Sequence, residues 1–221
     1  MTAALQTRTM GVTPVQHDED LYAQWAAGER KAGETLIERH LDTVGRFLAN
    51  KCPDPSRLED LVATVFERCA KSLGRFGGRS SFRTYLLGIA YNVARDDLKR
   101  HVRSPKFDET LTSIASISSS PSAIVAVREE QAMLLQALRQ LPFALQAVLE
   151  LHYFEEMSRA EVAQVLELPE GTVASRLRKA KAELRTELEA LADNPELREA
   201  TVTDLASWVA DLRTRLSGPE N

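Results

Sequence analysis

Apolar residues recur at steps of three and four along most of this chain, a spacing that places them on one face of an α-helix. Three such faces follow one another in the N-terminal half, at residues 36–48, 58–73 and 82–93. Prolines within 52–55 and glycines within 74–78 separate them, because both residue types interrupt helices. The pattern predicts a compact helical domain over residues 19–103, after a polar, aperiodic segment, 1–18, that we expect to be disordered.

Composition changes between residues 104 and 122, which hold seven Ser and two Pro without a sustained period. Such a stretch is typical of a flexible linker. Its polarity is interrupted by three candidates for docking on a partner, Leu111, Ile114 and Ile117. Helical periodicity resumes over 123–192, and a last apolar face follows at 193–221. We therefore predict an all-α fold with two small helical domains, a flexible linker between them and a C-terminal helical extension.

The most informative stretch of the C-terminal domain has the features of a helix-turn-helix. Ser158 with Glu161 three residues later is a capping box that starts a short helix. The Pro and Gly within 168–171 stop that helix and free the backbone for a second one. The second helix has an apolar face, and its cations are Arg176, Arg178, Lys179, Lys181 and Arg185. We interpret it as a helix that lies against DNA, with a plain helical hairpin as the alternative.

The charges are segregated along the chain, although the total is only −4. Residues 71–103 carry a local charge of +6 and residues 172–185 one of +4, which leaves −14 for the remainder. The sequence pI of about 5.7 argues against a protein that coats nucleic acid without specificity. Two basic islands in an acidic chain instead predict two places where phosphates meet the protein.

Several other classes of protein find no support in the sequence. With 43% hydrophobic and 27% charged residues, the composition is that of an ordinary soluble protein, and no stretch has the roughly 18–20 apolar residues of a membrane span. No signal peptide is evident, and Cys52 and Cys69 fit reduced, buried thiols, so we expect a cytoplasmic protein. Four scattered His and the lack of catalytic, nucleotide-binding or metal-binding motifs predict no enzyme, no cofactor and no metal site.

Two sets of motifs resemble one family. Residues 137–184 closely resemble the promoter-binding C-terminal domain of bacterial RNA polymerase sigma factors of the small extracytoplasmic-function type. The marks there are Leu141-Pro142, the helix led by Ser158 and the run from Gly171 to Leu177. The N-terminal domain resembles the polymerase-binding and promoter-melting domain of the same family, with matching stretches at 59–66, 81–86, 89–92 and 96–100. The resemblance covers residues 21–188 and implies a sigma factor that directs transcription initiation.

The resemblance also implies three groups of binding residues. Those that would read the minus-thirty-five element in the major groove, or hold its phosphates, are Gly171, Thr172, Ser175, Arg176, Arg178 and Lys179. Those that would hold the melted minus-ten element are Arg79, Ser80, Phe82, Arg83, Asn92, Asp96, Lys99 and Arg100. Those that would dock on the largest polymerase subunit are Glu59, Asp60, Leu61, Val65 and Phe66.

The chain departs from the family pattern at three places. Ala63-Thr64 stands where members usually carry Gln-Glu, Ala174 replaces an often basic residue, and Tyr85 replaces a usual Trp. The first departure removes two polar contacts from the expected docking surface. The second removes one expected contact with DNA, while the third keeps an amphipathic ring.

The implied partners are core RNA polymerase and promoter DNA, without insertion into a membrane. The family commonly adds an anti-sigma protein, although no pattern in this chain indicates one by itself. A stand-alone helix-turn-helix regulator is the main alternative; it would explain residues 158–185 but leave 58–103 without a role. A sigma-like adaptor that binds polymerase without melting DNA is a third interpretation, which Ala63-Thr64 keeps open.

Overall fold

The computed structural model describes residues 16–52, 54–102, 107–115 and 129–191. Regular structure in these ranges is helical, apart from one isolated β-bridge between Ser113 and Pro142. The helices form two groups that precede and follow the segment 107–115. The prediction of an all-α fold with two helical domains is confirmed.

The N-terminal domain contains four helices, α1 (Asp18–Ala26), α2 (Arg30–Ala49), α3 (Leu58–Lys71) and α4 (Phe82–His101), with a 3-10 turn at Pro55–Arg57. The three faces predicted from periodicity fall on α2, α3 and α4. The pattern did not mark the break between α1 and α2, where Gly28 has φ +103°. Only glycine adopts that backbone conformation without strain, so Gly28 allows the chain to turn there.

The core of this domain lies where α2, α3 and α4 meet. Its buried side chains include Leu36, Val44, Phe47, Leu48, Val65, Cys69, Leu86, Leu87 and Ala90. Leu41 belongs to the predicted α2 face but is 46% exposed, because it lies at a groove between α2 and α3. The core therefore leaves one apolar surface of the domain uncovered.

Helix α1 starts at Asp18, so this residue belongs to the folded domain although we assigned it to the disordered segment 1–18. Its carboxylate accepts from Arg39 Nη1 at 2.9 Å and lies 2.7 Å from His40 Nε2. These two partners come from α2, and the sequence pattern around Asp18 gave no sign of them. Residues 1–15 lie outside the described part of the chain.

The C-terminal domain contains α5 (Glu129–Gln140), α6 (Phe143–Leu149), α7 (Arg159–Leu166) and α8 (Glu170–Leu191), with a π-helical segment, Glu150–Phe154, after α6. The predicted capping box is present. The Glu161 amide donates to the Ser158 hydroxyl at 3.2 Å, and the Ser158 amide donates to the Glu161 carboxylate at 2.8 Å. Helices α7 and α8 with the turn between them form the predicted helix-turn-helix.

Residues 107–115 differ from the flexible linker predicted over 104–122. The Thr112 carbonyl accepts from the Phe143 amide at 2.8 Å, and the Glu109 carbonyl accepts from the Ala144 amide at 2.9 Å. The first amides of a helix need such acceptors, and Pro142 offers no side-chain cap to α6. The segment therefore docks on its own C-terminal domain, where Ile114 is buried.

Of the other candidates for docking, only Leu111 lies within the described residues. Leu111 is 77% exposed, while Ile117 and the predicted extension 193–221 lie outside the described residues. Across the described ranges, no helix is long and apolar enough to cross a membrane.

Candidate nucleic-acid and polymerase interfaces

Helix α8 has a buried side and an exposed basic side. Its buried residues are Val173, Leu177, Ala180, Leu184 and Leu188. Ser175, Arg178 and Lys179 are exposed, as predicted for DNA contacts, whereas Arg176 is only half-buried. Lys179 lies 3.6 Å from Glu183 one turn later, an exposed pair that is easily exchanged for a phosphate.

The N-terminus of α8 contains two of the residues expected to contact DNA, Gly171 and Thr172. The Thr172 amide donates to the Pro169 carbonyl at 2.9 Å, and the Val173 amide donates to the same oxygen at 3.1 Å. Thr172 is therefore already engaged through its backbone, because the turn closes on Pro169. Gly171 is exposed, and no neighbouring atom lies within 4 Å of a Cβ added there.

Phe82 was predicted to contact the melted strand, but it is buried, with 1% of its surface exposed. It belongs to a cluster of rings with Tyr22, Phe76 and Tyr85, in which the Tyr22 and Phe82 centroids are 5.6 Å apart. The sequence prediction failed here because Phe82 is the first residue of α4 and faces the core. We assign it a supporting role beneath the loop 74–81.

The loop 74–81 is anchored by Tyr22, a residue that no motif or periodicity had singled out. The Tyr22 hydroxyl donates to the Ser72 carbonyl at 3.3 Å and accepts from the Gly74 amide at 3.0 Å. Arg79 and Ser80 lie beyond this anchor, with Arg79 exposed and Ser80 half-buried. Tyr22 is more than fifty residues away in sequence, so only the fold brings it to the loop.

The C-terminal half of α4 presents the remaining minus-ten candidates together. Asn92 and Asp96 are half-buried, while Lys99 and Arg100 are exposed. Arg68 of α3 donates to the Asp96 carboxylate at 3.0 Å. Arg68 is therefore part of this surface, although the sequence analysis did not select it.

Asp97, next to these residues, is a buried carboxylate that sequence reasoning missed. Arg57 forms an ion pair with it, and Arg100 Nη2 lies 3.3 Å from the same oxygen. His101 Nδ1 lies 3.7 Å from the second oxygen. Asp97 thus fixes the 3-10 turn before α3 to the last turns of α4. Its position among the apolar residues Val93, Ala94 and Leu98 was the sequence signal that could have predicted its burial.

Arg83 differs from the other predicted contacts because a partner from the C-terminal domain holds it. Its Nη2 donates to the Glu155 carboxylate at 2.6 Å and to the Glu155 carbonyl at 2.8 Å. Glu155 itself is buried. In this conformation Arg83 is not available to a phosphate.

The predicted polymerase-binding residues separate into two groups. Glu59 and Asp60 are exposed at the start of α3. Leu61, Val65 and Phe66 are buried, so they shape α3 from inside, and of the three only Phe66 also borders the adjoining groove. The surface beside Glu59 is the groove between α2 and α3, lined among others by Ile37, Leu41, Arg46, Val62, Ala63 and Phe66.

The described residues contain no group of three or more His, Cys, Asp or Glu that could hold a metal ion. Burial raises the pKa of Cys69 to about 12, and that of Cys52 also lies above its ordinary value because of burial. Both thiols therefore stay protonated at neutral pH, which is typical of cysteines that serve as packing residues.

Comparison with known proteins agrees with this geometry. Residues 36–104 match the family model for sigma-70 region 2, and residues 131–184 match that for sigma-70 region 4. The RNA polymerase sigma-H factor of Pseudomonas aeruginosa is 28% identical over 194 residues, which cover 84% of this chain and 98% of the relative. The ECF RNA polymerase sigma-E factor of Escherichia coli is 27% identical over 183 residues, or 79% and 95% of the two chains.

Solved structures with the same fold include two that are complexes with a second protein. CnrH, in complex with the cytosolic domain of CnrY, is 27% identical, has a TM-score of 0.61 and covers 79% of this chain and 99% of its own. RpoE of Bartonella quintana, in complex with the anti-sigma factor NepR, is 17% identical, has a TM-score of 0.55 and covers 73% and 98%. This second likeness concerns the fold alone.

A helical domain that matches region 2, followed by a helix-turn-helix domain that matches region 4, defines a sigma factor of the sigma-70 family. The protein belongs to that family. Within it, the chain is an extracytoplasmic-function RNA polymerase sigma factor, which directs promoter recognition at transcription initiation. The alternative of a stand-alone regulator finds no support, because region 2 accounts for the N-terminal domain.

Proposed function

We propose that this sigma factor divides the promoter between its domains. The helix-turn-helix reads the minus-thirty-five element through Ser175, Arg178 and Lys179. The last turns of α4 and the loop 74–81 hold the melted minus-ten element. The observation that carries this proposal is the exposed basic side of α8, which follows a capped first helix and a tight turn, as in duplex-reading helix-turn-helix proteins.

On α4, the proposal rests on the side chains that lie on the same surface of the helix. Asn92 offers a donor and an acceptor in one plane, and suits a base edge. Lys99 and Arg100 are exposed cations about two turns further along, and suit the phosphates of an unpaired strand. Arg79 and Ser80 complete this surface from the loop side, supported beneath by the ring cluster of Tyr22, Phe76, Phe82 and Tyr85.

Polymerase docking is assigned to the start of α3 and the adjoining groove. Glu59 and Asp60 supply exposed negative charge, and Ile37, Leu41 and Val62 supply apolar surface beside it. A partner with basic residues around an apolar ridge fits this surface. The Thr64 hydroxyl donates to the Asp60 carbonyl at 2.7 Å and is turned back to its own helix.

We assign the protein a role without catalysis of its own, in the cytoplasm, where its polymerase partner works. The relatives named above are sigma factors, and sigma factors are not enzymes. An anti-sigma partner is also proposed, because CnrH, which covers most of this chain, was solved in complex with the cytosolic domain of CnrY.

In vitro transcription with core polymerase tests the proposal. Polymerase plus this chain is expected to start transcription at discrete promoters, and Asp60→Lys is expected to reduce polymerase capture in a pull-down without changing helix content. The matched control is Glu34→Lys, an exposed acid on α2 outside the groove. Capture of core polymerase that is equal for both variants would contradict the docking assignment.

A further inference from the structure

One turn of helix α1 holds both ends of the loop 74–81. At the first end, the Tyr22 hydroxyl accepts from the Gly74 amide at 3.0 Å. At the second end, Glu19 Oε1 accepts from the Phe82 amide at 3.1 Å. Glu19 and Tyr22 are three residues apart and therefore lie on the same side of α1. A single helix thus sets the distance between the two ends of the loop.

The bond from Glu19 also caps helix α4. The first amides of a helix have no acceptor within the helix, and its N-terminus favours a negative charge. The Ser81 hydroxyl accepts from the Thr84 amide at 3.1 Å, which satisfies one of these donors locally. The Phe82 amide instead donates to a carboxylate that is 63 residues away in the sequence. Capping from α1 therefore ties the beginning of α4, and with it the last residue of the loop, to α1.

Helix α1 is itself held near both of its ends. Near its start, the Asp18 carboxylate accepts from Arg39 Nη1 of α2 at 2.9 Å. Near its end, the Trp25 ring packs so closely on Gly33 of α2 that a Cβ atom added there would lie 2.6 Å from the ring. Both ends of α1 are therefore fixed on α2. Such support from packed neighbours allows Glu19 to hold its partner in one position.

Between its two fixed ends, the loop retains groups that can bind a ligand. The backbone amides of residues 76–80 donate to no acceptor within the described part of the chain. Arg75 and Arg79 are exposed. The Phe76 ring contacts the Tyr22 ring with centroids 5.1 Å apart, so α1 also directs the middle of the loop. The loop therefore combines fixed ends with unused amide donors and cations, which suit the phosphates and bases of an unpaired strand.

We propose that Glu19 and Tyr22 are positioning residues for the minus-ten element, which fix the loop 74–81 in a preformed shape before the strand binds. This inference rests on the role proposed above for the loop. A loop with fixed ends loses little conformational freedom when DNA binds, and its donors keep one geometry relative to each base. A loop released at either end must be ordered by the DNA and adapts to incorrect bases as well as to the correct one. The two side chains therefore determine how strictly the sequence is read, and they act through the loop.

Three substitutions separate the two hydrogen bonds from the packing around them. Tyr22→Phe removes the hydroxyl and keeps the ring that contacts Phe76 and Phe82. Glu19→Ala removes the acceptor of the Phe82 amide. Glu19→Gln keeps a side-chain oxygen that can accept from the same amide, so it should rescue the loss caused by Glu19→Ala.

Three further variants serve as controls. Asp20→Ala removes an exposed acid from the same turn of α1. Tyr153→Phe removes a half-buried tyrosine hydroxyl from the C-terminal domain. Arg79→Ala is the positive control, because Arg79 is itself proposed to contact the melted strand.

Binding of the polymerase holoenzyme to single-stranded oligonucleotides tests the proposal. The probes carry either strand of the minus-ten region of a promoter mapped by its transcription start, together with each single-base change. Tyr22→Phe and Glu19→Ala should each lower the ratio of cognate to mismatched affinity about three- to tenfold, the effect expected of one hydrogen bond. Glu19→Gln, Asp20→Ala and Tyr153→Phe should keep the wild-type ratio.

A purely structural role of the two residues would give a different result. Affinity for every oligonucleotide would then fall by the same factor in Tyr22→Phe and Glu19→Ala, the ratio would stay unchanged, and the proposal would be overturned. Arg79→Ala separates this failure from a failure of the proposed function. Weaker strand binding by Arg79→Ala, with an unchanged ratio in the α1 variants, rejects the positioning role alone. Unchanged binding by all three of these variants rejects the role of the loop as well.

Discussion

Helix α8 presents its candidate DNA contacts from a surface that its own periodicity creates, whereas α4 depends on side chains from three other elements. In α8, an apolar side faces the core and Ser175, Arg178 and Lys179 follow on the opposite side. In α4, Arg57 holds Asp97, Arg68 holds Asp96, and Tyr22 anchors the loop before the helix.

This difference corresponds to what each surface must recognise. A base-paired duplex has a regular groove, and one rigid helix face is sufficient to read it. An unpaired strand has no fixed shape, so the protein must supply the shape by holding a loop and a helix end in place. We therefore expect damage to α4 to act through the fold, and damage to α8 to act on DNA binding alone.

The largest effect is expected from Phe82→Ala. Phe82 is buried among three other rings, and truncation of a buried Phe typically lowers the free energy of unfolding by about 3–5 kcal/mol. Urea denaturation of the full chain measures this loss, with Phe82→Leu as a control that keeps most of the volume. If Phe82→Ala keeps the stability of the wild type but no longer melts the promoter, Phe82 contacts DNA. The contrast drawn here between α4 and α8 would then be wrong.

An intermediate effect is expected from Arg178→Ala. If Arg178 reads a base, its loss weakens binding to the minus-thirty-five element by about 1–3 kcal/mol, with stability unchanged because the side chain is exposed. Competition binding of holoenzyme to promoter fragments measures it. Arg185→Ala, two turns further along α8, is the matched control, and equal losses from both variants would indicate a general effect of charge.

The smallest effect is expected from Ser158→Ala, which removes the capping box of α7 and typically costs about 1 kcal/mol. Hydrogen bonds from Ser158 lower the pKa of Glu161 below its ordinary 4.5. The bonded carboxylate therefore stabilises the fold fully above that value, and this contribution is lost as the pH falls through the lowered pKa. Thermal unfolding from pH 7 to pH 3 should show the wild type losing its advantage over Ser158→Ala; a constant difference would contradict the assignment.

The same contrast explains what the sequence could predict. The helix-turn-helix, its capping box and the exposed basic side of α8 follow from local spacing, because the pattern that buries one side exposes the other. The sequence analysis predicted partner contacts for four residues that are buried, namely Leu61, Val65, Phe66 and Phe82. It took these positions from the family motifs, which do not tell which way each side chain faces. Tyr22, Arg57 and Arg68 reach the α4 surface through tertiary packing, which no local pattern encodes.

The linker illustrates a further limit of local patterns. Its Ser-rich composition is polar, yet the carbonyls of Glu109 and Thr112 serve as the cap that Pro142 cannot provide. Backbone acceptors are present in every sequence, so composition could not distinguish a capping segment from a mobile one. Of the apolar residues that interrupt the polarity of this segment, Ile114 is the one that is buried in the docked segment.

Footprinting of the holoenzyme on a promoter defined by transcription tests the division of labour most directly. We predict protection of both elements by the wild type and permanganate-reactive thymines near minus ten. Arg178→Ala should lose protection at minus thirty-five and keep the open region once bound at high concentration. Loss of both features together in Arg178→Ala would contradict the account. Protection of minus thirty-five by the chain, together with an open region at minus ten that does not require polymerase, would also contradict it.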